Sequence, residues 1–180
     1  MNQLEMEIRR IDEGERTVVG VVVPYDEVSY RTGDPSGEVV RRGALKRSLH
    51  HRQDKIPLLR NHDRERTLGW SRSFIETDIG VEGVFRVNDA PPGDELLDEL
   101  RHGYLRGMSI GYQPVRVGRG DGGVKEILEG RLVEVSMVGI PAYEGAAMLS
   151  VRNAQDIDAI LAPFLARPEV NLTPIPPVWR

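Results

Sequence analysis

Short runs in which apolar, often β-branched residues alternate with polar ones recur along this chain: QLEMEIRRI, RTVVGVVV, KIPLLRNH, SRSFIETDIGVEGVFRV, GMSIGYQPVRV and GRLVEVSMV. A period of two is the mark of a strand with one face in a core. Between the runs stand the turn-forming stretches DEGE, TGDPSGE, TDIG and GRGDGG,. The pattern predicts roughly six to eight strands without βαβ alternation, hence a mostly antiparallel sheet. Closing such a sheet removes its exposed edges. The expected fold is mainly β with α: a small closed antiparallel β-barrel surrounded by a few helices.

Two segments break the strand pattern. APPGDELLDELRHG opens with prolines and acids, repeats Leu96, Leu97, Leu100 and Tyr104 at helical spacing and ends at Gly103,. ALKRSLHHR, with Leu45 and Leu49 four apart, predicts a short basic helix,. The 180 residues suffice for one domain with a core, expected over residues 1–153,. Residues 154–180 are expected to form a short helix near DIDAILAPF and an extended tail, where five of the twelve prolines fall from Pro163 onward,.

Composition narrows the chemistry. With 39% hydrophobic and 29% charged residues the chain has a globular profile,. The start, MNQLEMEIRR, lacks the apolar core of a signal peptide and no apolar run reaches the length of a membrane span, so a soluble, cytoplasmic protein is expected,. The absence of cysteine excludes disulfides, thiolate nucleophiles and the usual structural zinc sites,. A net charge of −4 argues against a general nucleic-acid binder,. Within it, however, nine Lys/Arg stand against Asp54, Asp63 and Glu65 between Arg41 and Arg66. That stretch is either a solvated face or a docking surface for an acidic partner.

Three residues could carry a hydrolytic reaction. In a strand through Ser109 the side chain shares a face with Gly107 and Gly111, a bare strip with one hydroxyl on it,. The glycines serve either sheet curvature or the close approach of a ligand backbone. Of the four histidines, His50, His51 and His102 have structural explanations in helical segments, whereas His62 ends the run KIPLLRNHD on the face of Ile56, Leu58 and Arg60,. It is either a half-exposed strand-end histidine or a base at a barrel rim. Glu134 shares a face with Leu132, Ser136 and Val138. A carboxylate among such residues needs a partner, which could be a structural arginine or an imidazole that it orients toward a serine. There is no H-E-x-x-H, and NHD lacks the spacing of a ligand set, so neither a metal nor a cofactor is expected,.

The ordered motifs EVVRRGALKRSL (38–49), LLRNHD (58–63), LGW (68–70), LRGMSIGY (105–112) and LVEVSMVGIPA (132–142) resemble the prohead proteases of tailed bacteriophages, distantly similar to the herpesvirus assembly proteases,. The resemblance spans roughly residues 16 to 150. It implies a herpesvirus-protease-like fold and a serine endopeptidase in which Ser109 is the nucleophile and His62 the base. The herpesvirus relatives use a second histidine as third member. Here the matching strand offers Glu134, with Asp63 as the competitor. Oxyanion donors are expected around Val138 and Gly139, and a substrate strand beside Gly107 and Gly111.

The biological role implied is cleavage of the scaffold region of the major capsid protein, and of the protease itself, inside the assembling procapsid in the host cytoplasm. The expected partners are the major capsid protein with its scaffold segment and further copies of the chain, with no membrane and no specific nucleic acid. The alternative is a catalytically inactive barrel serving as a structural or scaffold-binding virion component.

Overall fold

The computed structural model describes residues 16–146 and 148–152. The expected QLEMEIRRI strand, the DIDAILAPF helix and the proline-rich tail lie outside the described residues. In chain order the elements are β1 (Thr17–Pro24), β2 (Val28–Ser29), β3 (Glu38–Val40), α1 (Lys46–Arg52), β4 (Pro57–Arg60), β5 (Asp63–Glu76), β6 (Gly80–Val87), α2 (Pro91–Arg101), β7 (Gly107–Arg119), β8 (Lys125–Val138) and β9 (Met148–Arg152), with a 3₁₀ turn at Asp121–Gly123 between β7 and β8.

The strands join in the order β2-β3-β8-β4-β5-β6-β1-β9, and β7 branches from β8. This path does not return on itself, so the expected closed barrel is instead a curled, open half-barrel. Nor is the sheet wholly antiparallel, because β3 and β4 both run parallel to β8. The parallel course of β3 and β4 has a topological cause. Helix α1 carries the chain from β3 across to β4, and a crossover of this kind is how two strands come to run the same way. β3 then occupies the first part of one β8 edge and β4 the last part, while β7 takes the other edge.

Burial follows the sequence pattern. β1 is the exception to the expected alternation: all eight of its residues are buried, in the run V-V-G-V-V-V flanked by β6 and β9. In α2, Pro91 and Pro92 occupy the first turn, where a missing N–H costs nothing, and Leu96, Leu97 and Leu100 enter the core,. Gly103 ends the helix with φ +70°, a left-handed conformation that glycine adopts without a Cβ clash,. Tyr104, expected on the apolar stripe, lies past that terminator and is exposed. No helix among the described residues is long and apolar enough to cross a membrane.

α1 also fixes an irregularity in β8. Gly111 pairs with Glu134 but Tyr112 pairs with Leu132, leaving Val133 as a bulge,. Both main-chain groups of Leu132 are held from α1: its N–H donates to Ser48 Oγ at 2.9 Å and its carbonyl accepts from Arg52 Nη1 at 2.6 Å. Replacing Ser48 by Ala strands a buried N–H, so unfolding free energy should fall by about 1–3 kcal/mol in urea denaturation. The exposed pair between Arg47 of the same helix and Glu129 of β8 should be nearly dispensable, and Arg47→Ala should leave the midpoint close to wild type,.

Candidate active site

His62 is not at the end of a strand. β4 stops at Arg60 and β5 starts at Asp63, and these two residues pair across a two-residue turn. Both turn residues, Asn61 (φ +50°) and His62 (φ +62°), are left-handed, as a tight hairpin of type I′ requires,. For a residue with a Cβ this costs about 1–2 kcal/mol. The cost is offset by two hydrogen bonds to β8: Asn61 N–H to the Met137 carbonyl at 3.1 Å and His62 N–H to Ser136 Oγ at 3.0 Å. Counting alternate faces along the strand therefore does not apply at His62, and its orientation comes from the turn. Just before the turn, the Arg60 guanidinium forks onto Glu99 of α2, holding that carboxyl below the usual carboxylate range.

Glu134 meets the imidazole. Its Oε1 lies 2.6 Å from His62 Nδ1, and its Oε2 accepts from Ser136 Oγ at 2.7 Å. No arginine pairs with it among the described residues, and its side chain is only 8% exposed. An ionised carboxylate can only accept, so this contact selects the tautomer with hydrogen on Nδ1 and leaves Nε2 as an acceptor. Ser136, which the sequence reading noted only as sharing a face with Glu134, is the missed member of the site. It binds the main chain of His62 and the side chain of Glu134 at once. The available signal was a second polar residue two positions along the same strand face.

Ser109 stands directly opposite Ser136 in the β7–β8 ladder, and Gly111 opposite Glu134. Directly opposed residues share a face, so Ser109, Gly111, Glu134 and Ser136 belong to one surface. Ser109 and His62 line the same groove, of about 390 Å³, with Gly111. The space beside the glycines is taken by the protein itself. A Cβ on Gly111 would lie 2.2 Å from Glu134 Oε1, and one on Gly107 would lie 2.8 Å from both the Pro141 ring and the Val138 carbonyl. Gly107, Val138 and Gly139 do not line the groove.

Asp63 is turned elsewhere: it is exposed, and its Oδ1 accepts the Glu65 N–H at 2.9 Å. Among the described residues no group of three or more His, Asp or Glu is arranged to hold a metal ion. Four of the nine cations in the basic stretch from Arg41 to Arg66 are paired with acids among the described residues. Arg41 binds Asp26 and Glu126, Arg42 binds Asp78, Arg47 binds Glu129 and Arg60 binds Glu99, all acids outside the stretch.

The chain is 27% identical over 166 residues to the prohead protease of Enterobacteria phage HK97, covering 87% of this chain and 69% of that protein. Its fold is similar to that of the bacteriophage T4 capsid assembly protease (TM-score 0.54, 14% identity, 68% of this chain and 80% of that one). It is also similar to the KSHV protease solved with a hexapeptide phosphonate inhibitor (TM-score 0.52, 16% identity, 79% of this chain and 67% of that one). The family model for the caudovirus prohead serine protease matches residues 4–160, and the chain belongs to that family.

Proposed function

We propose that the protein is a serine endopeptidase of capsid maturation that cuts the scaffold region of the major capsid protein, and itself, within the procapsid. The observation that carries this reading is the His62–Glu134 contact, braced by Ser136 and facing the groove that Ser109 lines. In the proposed reaction Ser109 Oγ attacks the peptide carbonyl while His62 Nε2 takes its proton. Glu134 stabilises the imidazolium, which then gives the proton to the leaving amine. Water repeats the sequence to release the acyl group and restore Ser109.

Ser136 is a positioning residue in this scheme. Gly111 has a role as well, since only a residue without Cβ admits the Glu134 carboxylate in its present place. Gly111 thus makes room for the residue that holds the base.

Labelling with a fluorophosphonate tests the reading: the wild type should be modified at Ser109, Ser109→Ala should not, and incubation with capsid protein should yield a product lacking the scaffold segment by mass spectrometry. Failure of the assembled wild type to label or cleave would support the inactive structural role instead. Glu134→Gln should lose turnover on the order of 10²–10⁴-fold with KM little changed, because the amide removes the charge that stabilises the imidazolium. Asp63→Asn should stay near wild type in the same peptide assay. Ser136→Ala, with its fold checked by circular dichroism, should lower kcat roughly tenfold through loosened placement of His62; an unchanged kcat would remove Ser136 from the scheme.

A further inference from the structure

The groove that holds His62 and Ser109 is also lined by Thr32, Glu38, Tyr112, Lys125 and Tyr143. Glu38, at the start of β3, is the most deeply placed charge in it, with a side chain 3% exposed. Lys125 Nζ donates to Glu38 Oε2 at 2.8 Å and the Tyr143 hydroxyl to Oε1 at 3.2 Å. The Tyr112 phenol lines the same groove as this carboxylate. Burial first, and the neighbouring Glu38 charge after it, push both phenols above their ordinary range, so they stay protonated donors. Thr32 Oγ1 is buried with no hydrogen-bond partner among the described residues.

A buried charge is costly, and a wall needed only for packing would be apolar. Here the wall has two properties that select an occupant. Its formal charges cancel, Glu38 against Lys125, so an incoming cation or anion would leave one charge uncompensated. Its hydrogen-bonding capacity is of both kinds. The Tyr143 proton is committed to Glu38, which leaves the Tyr143 oxygen as an acceptor, whereas Lys125 keeps two N–H groups and Thr32 its hydroxyl,. A primary amide, with two donors on nitrogen and an acceptor oxygen, matches both sets.

We infer that Thr32, Glu38, Tyr112, Lys125 and Tyr143 form a subsite that receives an uncharged amide side chain, Asn or Gln, of the substrate beside the scissile bond. The inference rests on the reading of Ser109 and His62 as nucleophile and base, and it deepens that reading by naming what the same groove selects. A site made to hydrogen-bond a polar side chain rejects analogues without it, because its own buried groups are then left unpaired.

The test uses the full chain and a library of peptides, with cut sites read by mass spectrometry. Asn or Gln should be enriched at one fixed position beside the cut. Thr32→Val, which is nearly isosteric, and Tyr143→Phe should each lower the ratio of kcat/KM for the amide peptide to that for its Ala counterpart, roughly tenfold. Enrichment of Lys, Arg, Asp or Glu at that position, or an unchanged ratio in both folded variants, overturns the subsite. Fluorophosphonate labelling separates the two levels. A wild type that labels at Ser109 and cuts without amide preference overturns the subsite alone, and one that neither labels nor cuts overturns the protease reading with it.

Discussion

β8 has to satisfy three strands at once, and the rest of the molecule is arranged around that constraint. Its two hydrogen-bonding edges serve β7 along one side and β3 then β4 along the other. Because β4 lies beside its last part, the turn after β4 is delivered over β8, where Asn61 and His62 find main-chain and side-chain acceptors. Because β7 lies on the other edge, Ser109 is set across from Ser136. The His62 imidazole and the Ser109 hydroxyl therefore reach one groove from opposite flanks of a single strand.

Polar groups inside such a strand must be satisfied or they destabilise it. Glu134 and Ser136 are, and the way they are satisfied is also what orients the imidazole. One carboxylate oxygen meets His62 Nδ1 and the other meets Ser136, whose own oxygen accepts from the His62 main chain. Removing any member leaves another unpaired, so stability and ring orientation are coupled here. The Val133 bulge and its two α1 anchors belong to the same assembly, since they set which residues of β8 stand opposite Gly111 and Tyr112. A bulge next to a site of this kind re-aims a side chain that regular pleating would direct elsewhere.

Charge is used in a comparable way at longer range. The arginines between Arg41 and Arg66 tie their segment to Asp26, Asp78, Glu126, Glu129 and Glu99, acids that lie far from them in sequence. Four of the nine cations that read as a single-sign patch along the chain thus enter mixed-sign contacts between elements among the described residues. Most such exposed pairs contribute little individually. The Arg60–Glu99 fork is half-buried and bidentate, and it anchors the strand that leads into the His62 turn,.

By itself the sequence determined what depends on near neighbours. Alternation set the strands, leucine spacing and prolines set α2, Gly103 set its end, and the ordered motifs singled out Ser109, His62 and Glu134 as candidates. Tertiary structure decided whatever depends on partners across strands. Periodicity says which face of its own strand a residue occupies, but not which strand lies beside it or in what register. The parallel course of β3 and β4, the open sheet, the left-handed turn at His62 and the bracing by Ser136 all follow from pairings of that kind. Glu134 and His62 are 72 positions apart in the chain, and their contact exists only because β4 pairs with β8 in one register. The emptiness of Gly111 has the same origin. The missing side chain is visible in the sequence, but the carboxylate that fills its space comes from the strand across the ladder.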